Sequence, residues 1–232
     1  MLEPYFKDVC QRYEAACTAL ASRHEPKTIR LGFTTASAYA TGLSFILNYQ
    51  DRHPETVLQI TTLTNDECEQ QLLDGKLDAA LITEPVHADS FHNILILESP
   101  ACAVVNRDHP FAKRDSIRIR DLEGEIVYGA SDRYRMRQLV ERKFKDMLPK
   151  VKKLFSADQH LEYIKLPLEG PGVALTFYFL CDNLDPRLVC VPILDNIPTR
   201  IYFCTNKDKP GNAQLKSFAA YVKEKMEIGG GV

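Results

Sequence analysis

Residues 72–83 read LLDGKLDAALIT, and the second half of that stretch decides the fold. LDAALIT is short and almost wholly apolar at consecutive positions. A strand of that kind is covered on both faces, as in a parallel sheet flanked by helices. Its odd member is Asp78, which is either a carboxylate at the mouth of a site or a piece of turn machinery. Asp78 follows a helix stop at Gly75 and opens the strand, where a carboxylate accepts hydrogen bonds from turn N–H groups. Ligands in open α/β sheets gather at the carboxyl ends of strands. Asp78 therefore lies at the structural end of its strand, and Thr83 at the functional one.

The flanking segments fit a parallel arrangement. TIRLGFTT (28–35) is a β-branched, apolar strand, and TVLQITT (56–62) is a second. Between them YATGLSFILNYQDRHP (39–54) predicts a helix with Leu43, Ile46, Leu47 and Tyr49 near one face, stopped by Pro54. Asn65 or Asp66 is expected to cap the helix DECEQQLLDG. Strand, helix, strand, helix, strand in that order argues βαβ units. Further strands are expected near 93–98, 101–106, 125–128, 151–155, 172–177, 187–193 and 200–206, with helices over 132–147, after Ser156 and over 211–227. The last of these carries Leu215, Phe218, Ala219, Val222 and Met226 on one face. At the N-terminus, Phe6, Val9 or Cys10, Tyr13, Ala16 or Cys17 and Leu20 predict an amphipathic helix over 5–23.

Composition narrows the classes. The 232 residues suffice for one large domain or two small lobes. A formal charge of −2 gives no basic footprint for nucleic acid. No run of 18 apolar residues is present, so no membrane span is expected, and the charged N-terminus does not resemble a signal peptide. Seven cysteines without C-x-x-C pairing, several inside apolar runs such as LVCVPIL and IYFCTN, predict reduced, buried thiols in a cytoplasmic protein.

Catalytic and metal signatures are absent or weak. Gly170-Pro171-Gly172 lacks the third glycine of a phosphate-binding fingerprint and reads as a turn. His87 and His92 lie on a loop without a third ligand, so no metal and no cofactor is expected. What recurs is a strand ending in a short polar segment that begins a helix: TTAS, TLTND and GASD. Helix N-termini offer unpaired N–H groups that suit a carboxylate or other small anion, and Thr35, Ser37, Thr64 and Ser131 add hydroxyls. Plain capping accounts for the same residues equally well. Arg133, Arg135 and Arg137 either add positive potential there or form a solvated face.

TIRLGF, the helix ending DRHPETVLQI, LLDGKLDAALIT and the later NRDHPFA and IRIRDLEGE, in that order, resemble the effector-binding domain of LysR-type transcriptional regulators. The resemblance runs from about Thr28 to Met226. It implies an α/β, type 2 periplasmic-binding-protein-like fold of two α/β lobes with a ligand cleft at the hinge. Lobe I would take 28–98 and 205–228, lobe II 99–204, with 1–27 as the family's linker helix and 229–232 as a flexible tail. The effector site carried over comprises Thr35, Ala36, Ser37, Thr64, Asn65 and Thr83 from lobe I, and Gly129, Ala130, Ser131 and Phe177 from lobe II. The family senses a small-molecule effector, here a carboxylate on the chemistry above. It pairs as homodimers or tetramers and reaches DNA only through a helix-turn-helix domain that has no counterpart in this chain. The chain is accordingly expected to be either an excised fragment or a stand-alone sensor, and not an enzyme. A solute-binding protein serving a transporter is the alternative, and an enzyme on the same fold ranks behind it. Two departures touch the cleft: GPGVALTFYFLCDN lacks the family's following proline, and Pro167 interrupts the preceding helix, at about 3 kcal/mol if internal.

Overall fold

A computed structural model describes residues 27–41, 44–132, 134–144, 150–157, 162–195, 198–209 and 211–228. The helix expected over 5–23, the connector after it and the 229–232 tail lie outside the described residues. In chain order the elements are β1 (Lys27–Phe33), α1 (Thr35–Thr41), α2 (Ser44–Arg52), β2 (Thr56–Thr62), α3 (Asn65–Asp74), β3 (Ala79–Thr83) and β4 (Phe91–Asn106). They continue with β5 (Ile126–Ala130), α4 (Arg135–Phe144), β6 (Lys153–Ala157), α5 (Glu162–Lys165), β7 (Val173–Phe177), β8 (Leu188–Pro192), β9 (Pro198–Asn206) and α6 (Ala213–Ile228).

The strands lie in the order β2-β1-β3-β9-β4-β7-β5-β6, with β8 on β4. β1 pairs parallel to β2 and β3, as the alternation of strands and helices predicts. β9 is antiparallel to β3 and to the first part of β4, so this half of the sheet is mixed. In the other half β5 is parallel to β6 and β7, while β4 is antiparallel to β7 and β8.

The strand that opened the reading behaves as its composition requires. All five residues of β3 are buried. Ala79 and Leu81 enter a core with Ile29, Leu31, Phe33, Tyr49, Phe203 and Phe218, while Ala80 and Ile82 enter another on the opposite face with Cys68, Leu72, Phe91 and Cys204. A third, larger core lies in the other half, around Val104, Val127, Tyr163, Val173, Leu175 and Val191. Burial pushes the Cys68 thiol up to about 12 and raises that of Cys204 as well, as for cysteines that serve as small hydrophobes. The five described cysteines are free thiols.

Asp78 is structural, with a partner the sequence did not suggest. Its carboxylate accepts from the N–H (2.8 Å) and Nε (3.0 Å) of Arg30, and from Arg30 Nη2 at 2.7 Å. The same Nη2 also donates to the carbonyl of Gly75 at 2.9 Å. The acid therefore fastens the entry of β3 to β1 rather than closing its own turn.

Two other expectations change. The strands read near 93–98 and 101–106 are one 16-residue strand, β4, carried through Pro100. Pro100 is tolerated because β4 there pairs only with β9, so no second ladder requires its missing N–H. Pro167 sits in the first turn of a 3-10 segment, Leu166–Leu168, that follows α5; no helix interior is broken and the expected cost does not arise. Ile201 and Phe203 of β9 pack in the core of the first half.

Candidate functional site

A cleft open to solvent, with about 410 Å³ of non-atom space when that solvent is included, lies where the two halves of the sheet meet. Its wall is built from strand ends. Thr34, Thr35 and Ala36 follow β1; Leu63, Thr64 and Asn65 follow β2; Thr83 ends β3; and Thr199 lies at the start of β9. From the other half come Tyr134 and Arg135 at the start of α4, with Phe177 and Phe179 at the end of β7. These are the carboxyl ends of β1, β2, β3 and β7, the side on which α/β sheets hold ligands.

Local hydrogen bonds shape the first-half wall. Ser37 Oγ accepts from the N–H of Thr34 (2.9 Å) and reaches the carbonyl of Leu81 (3.0 Å), so it ties α1 to β3. Thr34 Oγ1 in turn accepts from the N–H of Ser37 at 3.1 Å. At α3 the cap is Thr64, not Asn65 or Asp66: its Oγ1 accepts from the N–H of Glu67, whose carboxylate accepts from the Thr64 N–H at 2.8 Å. Asn65 is diverted because its Oδ1 accepts from the N–H of Thr83 at 2.8 Å. That bond pins the end of β3 to the start of α3.

Six of the ten residues expected from sequence line this cavity: Thr35, Ala36, Thr64, Asn65, Thr83 and Phe177. Ser37 is fully buried behind it. Gly129, Ala130 and Ser131 are buried at the end of β5 and do not line it. The chain turns at Ser131, whose carbonyl accepts from the Tyr134 N–H (3.1 Å), and Tyr134 and Arg135 reach the wall instead.

Arg135 is the residue whose role changes most. Its side chain is 7% exposed and its Nη2 donates to Asp66 Oδ1 (2.6 Å) and Glu69 Oε1 (3.0 Å) on α3. Nη1 donates to Gln138 at 3.1 Å. Glu69, 3% exposed, also accepts from the N–H groups of Val86 and His87 and lies 2.9 Å from His87 Nδ1. An arginine on one side of the cleft is thus bound to a buried acid on the other. Arg137 instead pairs along its own helix with Glu141, and Arg133 lies outside the described residues.

Three polar atoms on cavity-lining side chains are buried without a hydrogen-bond partner: Thr83 Oγ1, Thr199 Oγ1 and Arg135 Nε. Ser131 Oγ, nearby in the sequence of α4's approach, is in the same condition. Leu63, Phe177 and Phe179 give the wall an apolar part, with the Phe177 and Phe179 rings stacked at 6.3 Å. No thiol, imidazole or carboxylate belongs to the residues lining the cavity.

Residues 22–227 match the family model described as the LysR substrate binding domain. A probable nitrogen assimilation transcriptional activator of Synechococcus elongatus is 26% identical over 97% of this chain and 75% of its own length. The Hca operon transcriptional activator HcaR of Escherichia coli is 22% identical, with 87% of this chain and 69% of that protein covered. Among solved structures, the Synechocystis CcmR regulatory domain in complex with 2-PG superposes with a TM-score of 0.76 at 18% identity, over 87% of this chain and 98% of that one. The BenM effector binding domain with its effector benzoate gives 0.77 at 20% identity, over 89% and 95%. At such identities the structural likeness establishes the fold alone.

Proposed function

The chain belongs to the family of LysR substrate-binding domains, the effector-sensing part of LysR-type transcriptional regulators, and on that premise we propose that its cleft binds a small carboxylate. The observation that carries this reading is that three side chains lining the cavity hold buried, unpartnered polar atoms: Thr83 Oγ1, Thr199 Oγ1 and Arg135 Nε. Buried polar groups are nearly always satisfied, and leaving one unmade costs about 1–3 kcal/mol. A guanidinium N–H and two hydroxyls are the donors a carboxylate accepts from. Leu63, Phe177 and Phe179 line the same cavity and give the body of such an acid apolar surface. Benzoate in BenM and shikimate in QuiR, both carboxylates, are effectors or ligands of structural relatives and support the same class.

The division into lobes follows the cores: 28–98 with 198–228, and 99–195, joined where β4 and the segment before β9 cross. Effector bound across the cleft favours the arrangement in which both walls contact it, and only that differential affinity moves the balance. The signal passes through a homodimer or tetramer to helix-turn-helix domains, inside the cytoplasm. Catalysis is no part of this reading: the relatives are transcriptional regulators.

A thermal-melt screen against small organic acids, beginning with benzoate and shikimate, tests the proposal. An acid at 100 times its Kd adds about 2.7 kcal/mol of stability. If no acid moves the melt, the carboxylate assignment fails.

A further inference from the structure

Cys102, Cys181 and Cys190 come from three places in the chain and converge. Their Sγ atoms all lie within 4.8 Å of one another, and those of Cys102 and Cys181 are 3.3 Å apart. No ligand motif announces this, because 79 residues separate Cys102 from Cys181. The sheet assembles it. Cys102 on β4 stands opposite Thr176 of β7 and Pro192 of β8. Cys190 is two residues before Pro192 on β8 and so shares its face. Cys181 closes the 3-10 turn Tyr178–Leu180 that follows β7, its N–H donating to the carbonyl of Tyr178.

The donor set has a definite chemical preference. Three sulfurs, with no carboxylate or imidazole among them, select soft cations over magnesium or calcium. Metal–thiolate bonds of about 2.3 Å put three sulfurs around one ion roughly 4 Å apart, within reach of the observed spacing. Cys102 is fully buried while Cys181 and Cys190 are partly exposed, so one side of the cluster faces an entry path.

We propose that Cys102, Cys181 and Cys190 form a three-thiolate site for a soft, thiophilic metal ion. The ion keeps its oxidation state; each thiol that coordinates gives its proton to solvent as the sulfur–metal bond forms. The site lies where β4 passes from one half-sheet to the other. An ion there ties β4 to β8 and to the turn that carries Phe179, whose N–H donates to Ser99 Oγ at 3.2 Å and whose ring lines the cleft. Metal loading therefore stiffens one wall of the effector cavity without entering it.

The probe is Cd2+, added anaerobically to the reduced full chain while its thiolate-to-metal ultraviolet band and the thermal melt are read. A band that saturates with one tight equivalent and a raised melting temperature are expected. Cys181→Ser and Cys190→Ser should each weaken that binding by at least about tenfold, since lesser changes around metal sites already cost 10–100-fold. Alkylation of wild type followed by peptide mapping gives a second readout that needs no variant: one equivalent of Cd2+ should protect Cys181 and Cys190. Identical titrations for wild type and both variants, or unprotected thiols at saturation, would overturn the site.

Discussion

Replacing Arg135 with alanine should separate two residues that hold the cleft walls together. The guanidinium is 7% exposed and its acid partner Glu69 is 3% exposed, so this is a buried pair. Removing one member of such a pair costs about 3–5 kcal/mol, because the other charge is left uncompensated. Glu69 keeps the N–H groups of Val86 and His87 and the His87 ring, which places the cost near the lower end, about 3 kcal/mol. The second contact, to Asp66, adds little: that carboxylate is 68% exposed, and exposed pairs contribute about 0–1 kcal/mol. Asp66→Asn is therefore the internal control, expected to cost no more than about 1 kcal/mol. Urea unfolding of wild type, Arg135→Ala, Glu69→Gln and the double variant gives the coupling directly, expected at 1–3 kcal/mol, or about the range for residues in one network. Arg135→Ala costing no more than Asp66→Asn, or a coupling near zero, would show that the walls are held by something else.

Two further outcomes follow from the same structure. Thr83→Val should leave the ligand-free melt unchanged or raise it slightly, since it trades an unpartnered buried hydroxyl for a methyl, yet should weaken the response to a bound acid by about tenfold; a lowered ligand-free melt with an intact acid response would assign the hydroxyl to structure. Burial raises the Asp78 carboxyl, but the guanidinium and N–H of Arg30 outweigh it and hold the group below its ordinary value. Its stabilisation is thus present above about pH 4 and lost as pH falls through the lower folded value. Asp78→Asn should cost about 1–2 kcal/mol at neutral pH and progressively less in acid; a penalty that stays constant down to acid unfolding would refute the linkage.

What could be read in advance depended on how far apart the determinants lie. LDAALIT reveals its burial because both faces are filled by its own residues. Gly75 reveals the helix stop because a left-handed φ of 76° is a local demand. Thr64, and not Asn65 or Asp66, caps α3 for a reason outside the helix. Asn65 looks the better cap, but the N–H of Thr83, 18 positions away, claims its oxygen. β4 runs on through Pro100 where the sequence suggests two strands, 93–98 and 101–106, and only its pairing with β9 shows how the proline is accommodated. The cavity followed the same rule. Of the lining residues, Thr35, Thr64 and Thr83 follow from strand-end logic and Ala36, Asn65 and Phe177 from the family resemblance, while Thr199, Phe179 and the buried side of Arg135 depend on crossovers that no local pattern encodes.

Arg135 also decides how an effector could shift the two halves. Its Nη atoms are already committed to Asp66, Glu69 and Gln138, and only Nε lacks a partner. A carboxylate that accepts from Nε therefore adds to the bridge across the cleft and does not compete with it. One charge-assisted bond and two hydroxyl bonds, to Thr83 and Thr199, supply together about 4 kcal/mol net. Moving a population from 1:99 to 99:1 requires roughly 5.5 kcal/mol of differential affinity. The polar end of a ligand alone thus falls short, and contact of its apolar body with Phe177, Phe179 and Leu63 must provide the remainder. Formate or acetate should then bind without switching the domain, whereas an acid with a body large enough to reach both phenylalanine rings should do both. A full conformational response to acetate, read by small-angle scattering at saturation, would sink this division of labour.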